Sequence, residues 1–591
     1  MYILGIYCGH NSTAVIMKDG KIIAAASEER FNGIKNFTGY PKFAIRYVLR
    51  ESNVMIKNID FVTISHLISV PVTFKKYYKD KSFSVLLLTL LSFPLYFIRN
   101  MWGFFEYFIP QIRPVGRLFY KFAAYSVGKY THYKEILYLE NALGISKEKI
   151  KAFDHHLSHA ASAYYASPYN TTKSLVLTLD GEGDLLSGSV NIFENEQHKT
   201  IAKIPRDNSL GYIFEHVTSF LGMQPKEHEY KVMGLAAYVK SEIIEKLYKR
   251  IESIVRVDPD TLVINSQFNT IGFTRYLRRH MQSIRFDLVA AIFQKLLEDK
   301  IALWVKQCVK KTGIHTVVLA GGVFMNVKVN QRIAELSEVK ELFVLPSCGD
   351  ESSIIGSSYL GYIEACKSQN VPFLIPPIKD IYWGPAFKDQ DIEIALKESD
   401  AYRKFKVKKV KKIERYIAKL LARGVVVARL SGRMEFGARA LGNRSILADP
   451  RNYEAVHIIN EQIKNRDFWM PFAPSILFER QTDYIKNPKK LSAYYMMLSF
   501  ETTEKARAEI KAATHSYDFT ARPQFVTKDF NRKYYTILKE FEKLTGVGGI
   551  LNTSFNLHGY PIVLGPKEAL KVFMKSGITH LVLENYLVIK K

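Results

Sequence analysis

Cysteine is scarce in this sequence, with four in 591 residues (Cys8, Cys308, Cys348 and Cys366) and no CxxC pair. That excludes a disulfide framework and a zinc knuckle, and it fits a reducing, cytoplasmic setting. Acidic residues are short as well: 57 Asp and Glu face 83 Lys and Arg, a formal net charge of +26. Such a surplus favours an anionic partner, whether a nucleic acid, a membrane face or a phosphorylated substrate, and composition does not choose among them. With 47% hydrophobic and 24% charged residues, the chain has the make-up of neither a disordered tail nor a multi-span membrane protein. Its length allows roughly two to four domains, each with a core of its own.

Long apolar runs are nearly absent. The start, MYILGIYCGHNSTAVIM, has no basic region and no signal-length apolar run, and it reads as a strand broken by Gly5 and Gly9. One stretch stands apart: SFSVLLLTLLSFPLYFI, residues 82–98, is uncharged, with Lys75, Lys76 and Lys79 before it and Trp102, Phe104 and Phe105 after it. A spanning helix needs about 20 apolar residues, and this shorter run contains Pro94. It is expected to be a packed helical insertion, covering about residues 68–135. An interfacial membrane hairpin is the alternative, and a true span fits least. No repeat of fixed period is visible.

What is present is an alternation of strands and helices. Lys18-Asp19-Gly20-Lys21 reads as a hairpin turn between AVIM and IIAAA. Further on, the strand-like runs SLVLTLD, TVVLA and ELFVLP end in GEGD, GGVFMN and SCGDESS, with helical patterns expected to follow. Polar residues at strand ends describe an α/β domain with its ligand there. The pattern stops near residue 370. A proline-rich segment, 371–389, reads as a linker, and KFKVKKVKK then opens a second α/β unit, 390–591, with the alternation of a half-exposed strand.

The chemistry-bearing residues fall into two groups. In FDHHLSHAASAYYAS, His155 and His159 stand at i and i+4 of a helical run, so one face presents both imidazoles, without the glutamate of an HExxH protease motif. Asp180 and Asp350 lie at strand ends and complete a set suited to Fe, Mn or Zn; a helix N-cap is the ordinary reading of either one. Gly181 and Gly183, then Gly321 and Gly322, allow close backbone approach to a phosphate, and Lys231 with Gly234 in EYKVMGLAAY adds a cation. The second group is Arg433, Arg439, Arg444, Lys464 and Arg466, set among glycines and turn residues, with Arg522, Asn552 and Ser554 beyond. Guanidinium groups in fixed turns grip phosphate or carboxylate; a solvated basic face and plain Asx turns are the competing accounts.

On ILGIYCGHNSTAVI, SEERF, FDHHLSHAASAYY, EYKVMGLAAY, AGGVFMN, GDESSIIGSS, GRMEFGARALGNRSILADPR, NEQIKNRDFWMPFAPSIL, TARPQ and LNTSFN, the chain resembles the NodU/CmcH-type O-carbamoyltransferases. Their best-studied members act on antibiotics such as tobramycin and on Nod factors. The resemblance implies an actin-like ATPase domain, residues 1–370, joined to a YrdC-like domain that makes carbamoyl adenylate from carbamoyl phosphate and ATP. It assigns a metal, usually iron, to His155, His159, Asp180 and Asp350, and a catalytic role to His10. It puts Gly181, Lys231, Gly234, Gly321, Gly322 and Asn326 around the nucleotide and the Arg/Lys set with Asn552 and Ser554 around carbamoyl phosphate. The implied acceptor is a hydroxyl of a sugar or natural product, with the apolar stretch hinting at a lipid-linked one. No nucleic acid is expected, while peripheral membrane contact and a homodimer stay open. One departure stands out: Phe519 occupies a position where glycine is expected. Two alternatives compete, a tRNA threonylcarbamoyl-transfer enzyme and a membrane-surface nucleotide-binding protein without transferase activity.

Overall fold

The computed structural model describes residues 1–69, 113–464 and 467–590, and the chain divides into two compact units, residues 1–28 with 36–377 and residues 29–35 with 378–591. The first unit holds two five-stranded sheets of one plan. In the first sheet, β1 (Tyr2–Tyr7), β2 (Thr13–Lys18) and β3 (Lys21–Ser27) form an antiparallel meander. The parallel strands β4 (Phe61–Ile64) and β5 (Ile150–Ala152) extend it from β1, giving the order β3-β2-β1-β4-β5. The second has β6 (Ser174–Gly183), β7 (Leu186–Glu194) and β8 (Gln197–Pro205) as its meander. After a small ribbon of β9 (Val255–Val257) and β10 (Ile264–Ser266), β11 (Thr316–Ala320) and β12 (Glu341–Val344) extend it in parallel, giving β12-β11-β6-β7-β8. A three-strand meander continued by two parallel strands, present twice, is the architecture of the actin-like ATPases.

Local chemistry sets these turns. Asp19 and Gly20, at φ 48° and 76°, make the expected two-residue hairpin between β2 and β3. The GEGD run departs from expectation. It leads back into β7 rather than into a helix, through Asp184 and Leu185 at φ 49° and 65°. Glycines and acids mark a turn without disclosing whether a strand or a helix follows. Against the sheets, the helix His155–Ala166 meets the helix Asp350–Ser368 backbone to backbone: a Cβ on Gly356 would sit 1.8 Å from Ser158 O. Alanine, serine and glycine on the facing surfaces permit that approach.

The second unit is built on one mixed eight-stranded sheet. Its strands are β13 (Phe405–Lys409), β14 (Val427–Leu430), β15 (Arg444–Ala448) and β16 (Ala473–Leu477). A two-residue pair, β17 (Phe500–Glu501) and β18 (Thr520–Ala521), lies apart from it. The rest are β19 (Gln524–Val526), β20 (Gly549–Ser554), β21 (His580–Leu583) and β22 (Tyr586–Lys590), in the order β13-β22-β21-β14-β15-β20-β16-β19. β13 is an edge strand whose lysines face solvent and whose Phe405 and Val407 pack on the core, as its alternation predicts. Residues 371–388 contain no helix or strand. Both units are mixed α/β. Among the described residues no helix is long and apolar enough to cross a membrane, and the stretch 82–98 lies outside them.

Candidate active site

The helix His155–Ala166 starts at Asp154, whose carboxylate accepts Leu157 N–H at 2.8 Å. One turn apart on one face, His155 and His159 bring their Nε2 atoms to 3.1 Å. Asp180, late in β6, places Oδ2 3.1 Å from His159 Nε2 and 4.0 Å from His155 Nε2. Asp350, the first residue of its helix, places Oδ1 3.5 and 3.6 Å from the same two nitrogens. Four side chains from three segments remote in sequence thus converge, with one donor atom of each within 4.8 Å of the others.

The electrostatics of this quartet are those of a cation site. Both histidines are buried, which opposes their charge, yet the facing carboxylates outweigh burial: His155 is pushed up to about 9 and His159 is raised. Burial likewise opposes ionisation of Asp180, but His155 and His159 hold its carboxyl well below the usual range. Two imidazole nitrogens 3.1 Å apart cannot both carry protons comfortably, and a shared cation removes the conflict. His159 Nδ1 is buried without a hydrogen-bond partner. Two imidazoles and two carboxylates suit a divalent ion such as Fe, Mn or Zn. His156 faces away, bonding Thr178 Oγ1 at 3.0 Å, and burial with its two histidine neighbours pushes it down to about 3.

Sequence alone does not single out two side chains that hold the quartet in place. Tyr7 Oη donates to Asp350 Oδ2 at 2.7 Å. Asp184 accepts the N–H groups of His155 at 2.8 Å, Leu67 at 2.9 Å and Ile68 at 2.8 Å. Each is a lone polar residue beside a turn, without periodicity to mark it. The glycines gather around Asp180. Gly181 N–H donates to its Oδ1 at 2.6 Å and Gly322 N–H to its Oδ2 at 3.2 Å. A Cβ on Gly183 would lie 2.0 Å from the His155 ring, and Gly321, at φ 100°, would place one 2.1 Å from Leu179 O.

His10 lies in the turn after β1, next to Gly9, where a Cβ would meet Tyr7 Oη at 2.3 Å. In that turn Asn11 Oδ1 and Ser12 Oγ are buried without hydrogen-bond partners. Lys231 is buried in the helix Glu229–Ala236, which also holds Gly234. Asn326 caps the helix Val327–Glu335, accepting Lys328 and Val329 N–H at 3.2 Å each, and exchanges hydrogen bonds with Gln294.

In the second unit, Arg444 is fully buried and donates to the carbonyls of Leu564, Ser431, Gly432, Asn443 and Pro385 at 2.9–3.3 Å. Arg433 donates to Trp383 O at 2.7 Å and Gly384 O at 3.2 Å. The loop between them winds around Glu435, whose Oε1 accepts the N–H groups of Leu441, Asn443 and Arg444. Asn552 is buried, donating to Ala440 O at 3.0 Å and Ser475 Oγ at 3.1 Å, and its Oδ1 has no hydrogen-bond partner. Ser554 Oγ donates to Asn556 Oδ1 at 2.7 Å. Arg439 and Arg522 are half-buried. Arg466 and the side chain of Lys464 lie outside the described residues. Phe519 holds φ 54°, the left-handed conformation that favours glycine, with Arg507 over its ring at 4.7 Å.

The chain is similar to known proteins along its whole length. A family model described as Carbamoyltransferase N-terminus matches residues 2–359, and one described as Carbamoyltransferase C-terminus matches residues 418–590. Nodulation protein NolNO of Sinorhizobium fredii is 30% identical over 98% of this chain and 79% of its own length. Uncharacterized protein MJ1058 of Methanocaldococcus jannaschii is 34% identical over 76% of this chain and 75% of its own. Both family matches place the chain in the carbamoyltransferase family, as an enzyme that transfers a carbamoyl group.

Proposed function

We propose that this enzyme converts carbamoyl phosphate and ATP to carbamoyl adenylate in its C-terminal unit and transfers the carbamoyl group in its N-terminal unit to a hydroxyl of a sugar-containing acceptor. The observation that carries the proposal is the convergence of His155, His159, Asp180 and Asp350 on one point. A carbamoyl group is a poor electrophile until it is joined to a good leaving group such as AMP. A divalent ion, iron by family resemblance, would supply Lewis-acid stabilisation of the charge that develops on attack. His155, His159, Asp180 and Asp350 would hold that ion, and Tyr7 orients Asp350 through its hydroxyl. His10 is the proposed acceptor of the hydroxyl proton, a task suited to an imidazole near neutral pKa.

Around the nucleotide we assign the Gly181, Gly321 and Gly322 backbone with Lys231, Gly234 and Asn326, and the half-buried Arg439 and Arg522 to the anions of the second unit. Arg433, Arg444, Asn552 and Ser554 shape that loop cluster through the hydrogen bonds described above. Incubation with carbamoyl phosphate, ATP and Fe(II), without acceptor, is expected to release pyrophosphate and form carbamoyl adenylate. No product, beside an active relative as control, would overturn the proposal.

A further inference from the structure

The first unit contains a second cluster of metal-ligating side chains that the proposed chemistry does not use. His66 follows β4, while His132 and Glu135 stand at i and i+3 on the helix Arg113–Leu143 and so share one of its faces. One donor atom from each lies within 4.8 Å of the other two. His66 Nε2 is 2.8 Å from Glu135 Oε2, and the His66 and His132 rings are 5.7 Å apart, centroid to centroid. Their exposures are 9%, 8% and 4% for His66, His132 and Glu135, so all three have been taken out of water.

A plain ion pair accounts for only part of this cluster. His66 and Glu135 satisfy each other on one side, but Glu135 Oε1 and His132 Nδ1 remain buried without hydrogen-bond partners. The surroundings brace the donors. Ser69 Oγ donates to Glu135 Oε2, Thr131 Oγ1 donates to Ser69 O, and Asp184 fixes the chain after His66 through Leu67 and Ile68 N–H. Partners of this kind orient ligands in metal sites.

We propose that His66, His132 and Glu135 form a second divalent-metal site, taking zinc or a similar borderline ion on two imidazoles and one carboxylate, with a coordination position left for water or substrate oxygen. Two histidines and a glutamate are a ligand set of open zinc centres. The site is separated from the quartet by Tyr7, whose ring meets His66 edge-on at 6.3 Å and whose hydroxyl reaches Asp350.

The test counts ions. The full chain is stripped with chelator and titrated with Co(II) or Zn(II), with bound metal measured by plasma emission and the visible absorption of Co(II) reporting coordination. Wild type is expected to hold two ions, His155→Ala one, His132→Ala one, and the double variant none. Glu135→Gln, which keeps the side-chain volume, is expected to weaken the second ion by about 10²-fold or more and serves if His132→Ala does not fold. A wild type with one ion that His155→Ala loses and His132→Ala keeps, or two ions retained in Glu135→Gln at unchanged affinity, overturns this site. One ion lost with His132→Ala and kept with His155→Ala leaves this site standing and removes the quartet instead.

Discussion

The two units treat their buried charges in opposite ways. In the first, His155, His159, Asp180 and Asp350 face one another, so the charge converges on a point that a ligand can occupy. In the second, the buried cations Arg429 and Arg444 turn inward, Arg444 to five carbonyl oxygens and Arg429 to Gly442 O and Asn443 Oδ1. One arrangement leaves donors facing a common point and the other holds a loop, although His155 and His159 on one side and Arg444 on the other both read as ligand-binding clusters in sequence. The difference lies in what the donors have left over.

Substitution should pull the two apart. His155→Ala is expected to lower transferase turnover by at least roughly 10²–10³-fold, the scale of losing an organised electrostatic contact at the reacting group. Its melting temperature should fall less than that of the second unit's variant, because His159 keeps its 3.1 Å pairing with Asp180. Arg444→Met should do the reverse, destabilising the protein by about 3–5 kcal/mol through carbonyls left buried and unpaired. Calorimetry and single-turnover kinetics on both variants check the contrast, and an Arg444→Met protein of wild-type stability would break it.

Smaller effects sharpen it. Gly183→Ala forces the His155 ring aside and is expected to weaken the metal about 10–100-fold with little change in stability, read by metal titration. On the second unit's side, Glu584 accepts Ser431 Oγ at 2.8 Å and Lys533 Nζ at 2.8 Å, and also Gly432 N–H. Burial opposes its charge, but Lys533, Gly432 and Ser431 hold its carboxyl below the ordinary 4.5. A depressed carboxyl stabilises the fold above its unfolded value and loses that contribution as pH falls through the folded one. Glu584→Gln should therefore melt lower than wild type at pH 7, with the gap shrinking below about pH 4.5 in a pH series of thermal melts.

The legible parts of the molecule were those with a period or a terminus. His155 and His159 show through helical spacing, Asp180 through a strand end and the β2–β3 turn through Asp19-Gly20, while Asp350, read with the strand ends, instead opens a helix six residues after β12. Phe519 was marked only by the resemblance, as a residue where glycine is expected, and the backbone there turns left-handed. Three things were hidden. The hairpin after Asp180 depends on Asp184 and Leu185 both taking positive φ, which no composition rule imposes on leucine. The inward commitment of Arg444 depends on carbonyls from four separate stretches of chain. The cluster of His66, His132 and Glu135 joins a strand end to a helix face across a long excursion of chain, and an HxxE spacing alone is commonplace.

Asp184 gives this arrangement a further property. One carboxylate anchors the amides of Leu67 and Ile68 after His66 and that of His155 at the start of the quartet, so two segments distant in sequence rest on a single support. Residues sharing a partner do not respond independently to mutation. Changes near His66 and changes near His155 will thus show epistasis, and a lineage altering one segment inherits constraints on what the other can become.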